Sequence, residues 1–261
     1  MSTTVSIRKL PALEGINWIR RAFELIRINP WMISSSFFLY LLILILVQQL
    51  PLIGAFLPGL LVPSLFFGVM AVLQTVAQRQ RPSLAIFFSG FLNPMSRTRL
   101  LVSGVIYSIG FTVAIAASSL ADGGLMFRNL VLGQAIDPAQ AQLSAQTGAQ
   151  LLALIAFTPT AACFWISPQL IVWHGMSVSK ALFFSFFAFW RNLAAIATFF
   201  LSIGTLLVGF ALLVSALAYL FAAPTLAINI MLPISLFVFV IIYSGFYASY
   251  ESLVEVKTSE K

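Results

Sequence analysis

Six stretches of the chain are apolar for twenty residues or more and hold no Asp, Glu, Lys, Arg or His: approximately 31–50, 58–78, 100–120, 151–173, 193–221 and 226–250. A hydrocarbon core of about 30 Å is crossed by about 20 helical residues, so each stretch predicts a transmembrane helix. The segment before the first stretch has a different rhythm. Asn17, Arg20, Arg21, Glu24 and Arg27 fall on one face of a 3.6-residue period, and Ile16, Ile19, Phe23 and Ile26 on the other. Such a segment predicts a helix lying in the membrane plane at the headgroup level.

Before each odd-numbered span stands a Phe-rich segment that ends in Asn, with a Phe six residues earlier: Phe23 to Asn29, Phe87 to Asn93 and Phe186 to Asn192. In the first two, Pro30 and Pro94 follow the Asn. Asn is a good N-cap and Pro suits the first helical position, so Asn-Pro can end one helix and start another at an angle. Asn29, Pro30, Asn93, Pro94 and Asn192 are therefore candidate elbows. The even-numbered spans align through Pro63, Pro159 and Pro233. The expected fold is all-α: a polytopic membrane helical bundle, six transmembrane helices as three parallel-repeat hairpins, each preceded by a cytoplasmic in-plane helix. The expected organisation is a single integral membrane domain over residues 1–261, with a cytoplasmic amphipathic segment at 1–29, the bundle at 31–250 and a cytoplasmic tail at 251–261. Every repeat starts on the same side, unlike the inverted repeats of many alternating-access transporters. In the long connection at 121–150, Asp137-Pro138 is placed to cap a helix running into the fourth span.

Composition sharpens the class. The chain is 61% hydrophobic and 8% charged, far below the roughly 25% charged residues of a soluble domain. Charge then gives sidedness. Thirteen of the fourteen Lys and Arg fall in the N-terminal segment, the 79–99 and 174–192 connections and the tail, leaving Arg128 for the other side. Since basic loops stay in the cytoplasm, both termini are expected there, and an even span count agrees. The N-terminus lacks a short apolar region followed by a small-residue cleavage site, so the first span is expected to stay in the protein. Basic residues set between spans, with no polar domain of their own, point away from nucleic acid.

An in-plane helix, an Asn-Pro elbow, a proline-containing span, the Trp173-His174-Gly175 turn, the Lys180 to Asn192 segment and the closing Tyr247-Ala-Ser-Tyr250 cover nearly the whole chain. This pattern resembles a family of uncharacterised proteobacterial six-span inner-membrane proteins. It is distantly similar to the membrane domain found with some bacterial glycerophosphodiester phosphodiesterases, without their catalytic domain. The resemblance implies a multi-pass protein of the bacterial inner membrane and carries no catalytic residues over.

Few residues here can do chemistry. One Cys and one His give neither a disulfide nor a zinc cluster, and no cofactor or metal is expected. His174, beside the end of the fourth span, is either a proton relay, a headgroup ligand or, the preferred reading, a polar helix end. Cys163 reads as a small packing residue, and Asp122 as a turn or capping residue. Thr160, Ser167 and Gln169 flank Pro159 and Pro168, where a missing amide frees backbone carbonyls; they are candidates to line a cavity, against a plainer role in interhelical hydrogen bonding. Small residues four apart, Ala211 with Ser215 and Gly245 with Ser249, permit close helix contact. With no paired acid and base, an enzyme is not expected. The expected role is a membrane protein that binds lipid, anionic lipid in particular, or a membrane protein partner. Arg20, Arg21, Arg27, Arg79, Arg81, Arg97 and Arg99 are the candidate headgroup contacts. The alternative is a small passive or partner-driven transporter of a lipid-like or small molecule.

Overall fold

A computed structural model describes residues 3–51, 53–134, 143–221 and 224–258. Asp137 and Pro138 lie outside the described residues. Six spans long and apolar enough to cross a membrane are present: α2 (Pro30–Gln48), α3 (Leu57–Ala77), α6 (Pro94–Asp122), a fourth made of α8 (Leu143–Phe164) and α9 (Ser167–Trp173), α11 (Leu193–Leu220) and α12 (Pro224–Leu253). The short elements are β1 (Thr3–Ile7), α1 (Glu14–Ile28), α4 (Leu84–Phe87), α5 (Ser89–Leu92), α7 (Leu125–Leu130), α10 (Val178–Arg191) and β2 (Val254–Thr258). Cα packing groups the residues into two compact units, one of residues 1–37, 69–83 and 188–261 and one of 38–68 and 84–187.

In the first unit, β1 and β2 pair antiparallel, with Val5 opposite Val256. This ribbon brings the two ends of the chain together, and Arg8 N–H extends it by donating to Leu253 C=O at 2.9 Å. Periodicity did not announce it, because five-residue strands at chain ends carry too few positions to show alternation. Helix α1 packs on α11 and α12 through Gly15, Trp18, Ile19, Ala22, Leu25 and Ile26. The buried stripe is thus turned from the expected face: Phe23 is exposed, while Trp18, Ala22 and Leu25 face inward. Gly15 is where α1 meets α11, since a Cβ there would collide with the Ala195 carbonyl. Trp18 packs edge-on against Phe199 at 6.0 Å and gives its indole N–H to Ser252 Oγ at 2.8 Å, so its polar edge is paired as its ring is buried.

The second unit is built on α6 packed along α8. Tyr107 meets Phe157 at 5.8 Å and Phe164 at 5.1 Å in T-shaped contacts. Helices α3 and α6 also touch closely, because a Cβ at Gly104 would collide with the Leu60 carbonyl. The fourth span is interrupted, where one continuous helix was expected. Pro168 has no N–H for the carbonyl four residues back and its ring crowds that carbonyl; α8 ends there, at Phe164. Ser185 of α10 closes the gap: its Oγ accepts from Ile166 N–H at 3.0 Å and donates to Ala162 C=O at 2.9 Å. At Pro63, Pro159 and Pro233 the helices run on.

Candidate functional site

Each Phe-rich segment gives way to a span at its Asn, with α1, α5 and α10 ending at Ile28, Leu92 and Arg191. Before α6 there are two four-residue helices instead of one in-plane helix. The three Asn side chains do different work. Asn93 Oδ1 accepts from Met95 N–H at 3.0 Å and from Ser96 N–H at 3.4 Å, a paired N-cap. Asn29 Oδ1 accepts from Met32 N–H at 3.2 Å. Asn192 caps nothing. It is buried, its Oδ1 accepts from Leu10 N–H at 2.7 Å, and its Nδ2 donates to Arg8 C=O at 3.1 Å and Ala188 C=O at 2.9 Å. The expected elbow cap is therefore the tie that holds the chain after β1.

The seven arginines expected at headgroups also divide. Arg21 is held at 3.0 Å by Glu251 and at 3.2 Å by Glu24, and these partners raise its pKa further. Arg99 Nη1 donates to Gly175 C=O at 2.7 Å, tying α6 to the turn after α9. Both are engaged within the fold, because each finds an acceptor that the linear sequence does not place near it. Arg20, Arg27, Arg79, Arg81 and Arg97 are exposed and take part in no ion pair among the described residues. Arg79 is unusual in its backbone. Its φ is +58, and around it Gln80 N–H donates to Thr75 C=O and Arg79 N–H to Val76 C=O, the two bonds of a Schellman end to α3. The left-handed position of that motif is usually Gly.

The turn after α9 carries His174. Gly175, at φ +63, lets the chain reverse, and Met176 N–H donates to Leu170 C=O. His174 is half-buried, and burial lowers its pKa. Asp122 Oδ1 and Oδ2 accept from Gly124 N–H and Met126 N–H at 2.9 and 2.8 Å, a capping arrangement at the start of α7. Among the described residues no three His, Cys, Asp or Glu side chains cluster as metal ligands would.

Thr160 lies on α8, and Ser167 and Gln169 lie on α9, beyond the break in the fourth span. Thr160 faces Gly110 of α6, whereas Ser167 and Gln169 are wholly buried on α9. Among the described residues, neither Ser167 Oγ nor either amide atom of Gln169 has a hydrogen-bond partner, and Ser64 Oγ on α3 is in the same state. Ser64 lies about one turn before Phe67 and Gln169 one turn before Trp173, and those two rings meet at 5.4 Å. A groove of about 540 Å³ lies elsewhere, between the α2–α3 turn and α6, lined by Phe56, Leu57, Leu60, Val105, Ile109 and Val113 among others. A smaller pocket of about 170 Å³ adjoins it, sharing Phe56, Ser108 and Thr112 and adding Gln48 and Tyr107. The signal for this place was Gly104 and Ser108, small residues four apart on α6, the same spacing singled out on the fifth and sixth spans.

No protein-family model matches the chain, and no solved structure does either. A curated relative does, over nearly the full length of both proteins: the probable inner membrane protein BTH_II0599 of Burkholderia thailandensis is 33% identical over 247 residues, 93% of this chain and 91% of the relative. With six spans and this extent of identity, the chain belongs to the family of that inner membrane protein.

Proposed function

We propose that this is a non-enzymatic, multi-pass protein of the bacterial inner membrane that holds anionic phospholipid through its exposed arginines. The family relative and the six spans support the location. The basic asymmetry supports cytoplasmic termini, and the β1–β2 pairing supports both lying on one side. In this reading the three Asn boundaries mark parallel repeats, each entered through a segment at the inner headgroup level.

The observation that carries the proposal is Arg79. A side chain at a left-handed position costs about 1 kcal/mol that Gly avoids. An exposed guanidinium kept there, two residues from exposed Arg81, offers two charges where α3 ends. Each basic residue near an anionic surface contributes about 1 kcal/mol of attraction. The test is lipid retention in nanodiscs of phosphatidylethanolamine and phosphatidylglycerol, read by native mass spectrometry. Replacing Arg20, Arg27, Arg79, Arg81 and Arg97 by Gln is expected to abolish selective retention of phosphatidylglycerol; retention equal to wild type refutes the reading.

A second reading, passive transport of a lipid-like molecule, draws support from the interrupted fourth span and from Ser167 and Gln169 beside it, which have no hydrogen-bond partner among the described residues. Discontinuous spans at membrane depth are found where backbone lines a path. Flux of a fluorescent lipid analogue in proteoliposomes that falls in Gln169→Leu would favour it.

A further inference from the structure

We infer that the groove between the α2–α3 turn and α6 seats one acyl chain of an uncharged glycerolipid, with the lipid's ester and hydroxyl groups at the uncharged polar side chains of the adjoining pocket. The proposal rests on the spans being in a bilayer and not on the exposed arginines. Its geometry comes from the way two helices separate. At Gly59, Leu60, Gly104 and Ser108 the backbones of α3 and α6 are in contact; a Cβ at Gly59 would sit 2.5 Å from Ser108 Oγ. Beside that contact, and reaching to the α2–α3 turn, lies the trough. Its wall on α6 runs from Val105 to Val113, eight residues or about 12 Å of helix, against about 15 Å for the hydrocarbon of one leaflet. The trough therefore fits a chain from a single leaflet.

The adjoining pocket selects the headgroup. Gln48, Tyr107, Ser108 and Thr112 line the smaller pocket, and neither hollow is lined by Asp, Glu, Lys, Arg or His. The Gln48 amide and the Thr112 hydroxyl have no hydrogen-bond partner among the described residues. Ser108 Oγ donates to Gly104 C=O at 2.9 Å and keeps its lone pairs. Hydroxyls and an amide can serve ester carbonyls and a free hydroxyl, as in diacylglycerol, whereas a phosphate would find no counter-charge. Ordinary bilayer contact with a helix face needs neither the concavity nor the uncharged polar side chains beside it.

The experiment uses the full-length protein in nanodiscs with two probes that carry the same chain diazirine, one a diacylglycerol and one a phosphatidylglycerol, followed by peptide mapping. Diacylglycerol labelling is expected to concentrate on residues 53–60 and 105–113, to be competed by unlabelled diacylglycerol, and to exceed that of phosphatidylglycerol there. Ile109→Trp, at a position 60% exposed, fills the trough and is expected to cut that labelling at least fivefold. Leu212→Trp, exposed on α11, is the control and should leave it unchanged. Labelling spread evenly over exposed span faces, equal labelling by both probes, or no loss in Ile109→Trp overturns the proposal. Competition on the wild-type protein decides it even if Ile109→Trp fails to fold. Absence of groove labelling in the wild-type protein, with phosphatidylglycerol retention intact, would refute this site and leave the arginine reading standing.

Discussion

Replacing Arg79 separates backbone cost from charge. At φ +58, Cβ crowds the following carbonyl, which costs an L residue roughly 1–2 kcal/mol; Gly lacks the crowding but loses more chain entropy on folding. The net expectation for Arg79→Gly is about 1 kcal/mol of added stability, since both Schellman bonds, Gln80 to Thr75 and Arg79 to Val76, are backbone and survive. The same substitution removes one exposed charge, worth about 1 kcal/mol at an anionic surface, or about a fivefold loss in phosphatidylglycerol retention. Arg79→Gln removes the charge and keeps the strained side chain, so it should lose the same retention and gain no stability. Reversible unfolding in mixed micelles gives the first quantity, and native mass spectrometry from mixed-lipid nanodiscs the second. If Arg79→Gly is no more stable than Arg79→Gln, the strain argument fails; if both retain lipid as wild type does, the position is kept for some other reason.

Asn192→Ala leaves Leu10 N–H and Arg8 C=O without their side-chain partner in a part-buried place, and should cost about 2–4 kcal/mol in the same unfolding assay, against about 1 kcal/mol for the loss of the Asn29 cap in Asn29→Ala. His174 has a lowered pKa in the fold, so the unfolded chain binds more protons below its ordinary pKa of about 6.5; stability should fall as pH drops through that region, and His174→Gln should flatten the slope. Whatever phenotype a deletion strain shows, His174→Ala at normal protein level should restore it, and a null phenotype would indicate chemistry at that helix end. Gly104→Ala drives a methyl into the Leu60 carbonyl and should lower the melting temperature by several degrees, with no change in unfolding if α3 and α6 do not meet there. Reporter fusions at Gly133 and Lys261 should report opposite sides of the membrane.

The spans were legible because length and the absence of charge are one-dimensional properties, and the bilayer imposes both. Their starts at Asn29 and Asn93 were legible for a related reason, since a cap acts on amides two or three residues away. What an Asn does at that boundary was not legible. Asn93 and Asn192 stand at equivalent places after a Phe six residues earlier, yet one caps its own helix and the other binds residues more than 180 positions away. The same distance hides Glu251 from Arg21 and Ser252 from Trp18. Pro159 and Pro168 also look alike in sequence, and only the second ends a helix. The visible difference is an external partner: Ser185 takes the Ile166 N–H and supplies a donor to Ala162, so an open turn is tolerated where both backbone groups are satisfied from another helix. The candidate site divides on the same line. Arginines near spans could be counted, but which of them are spent inside the fold depends on Glu251 and the Gly175 carbonyl, and a groove between α3 and α6 exists only once Gly104 has let two helices touch.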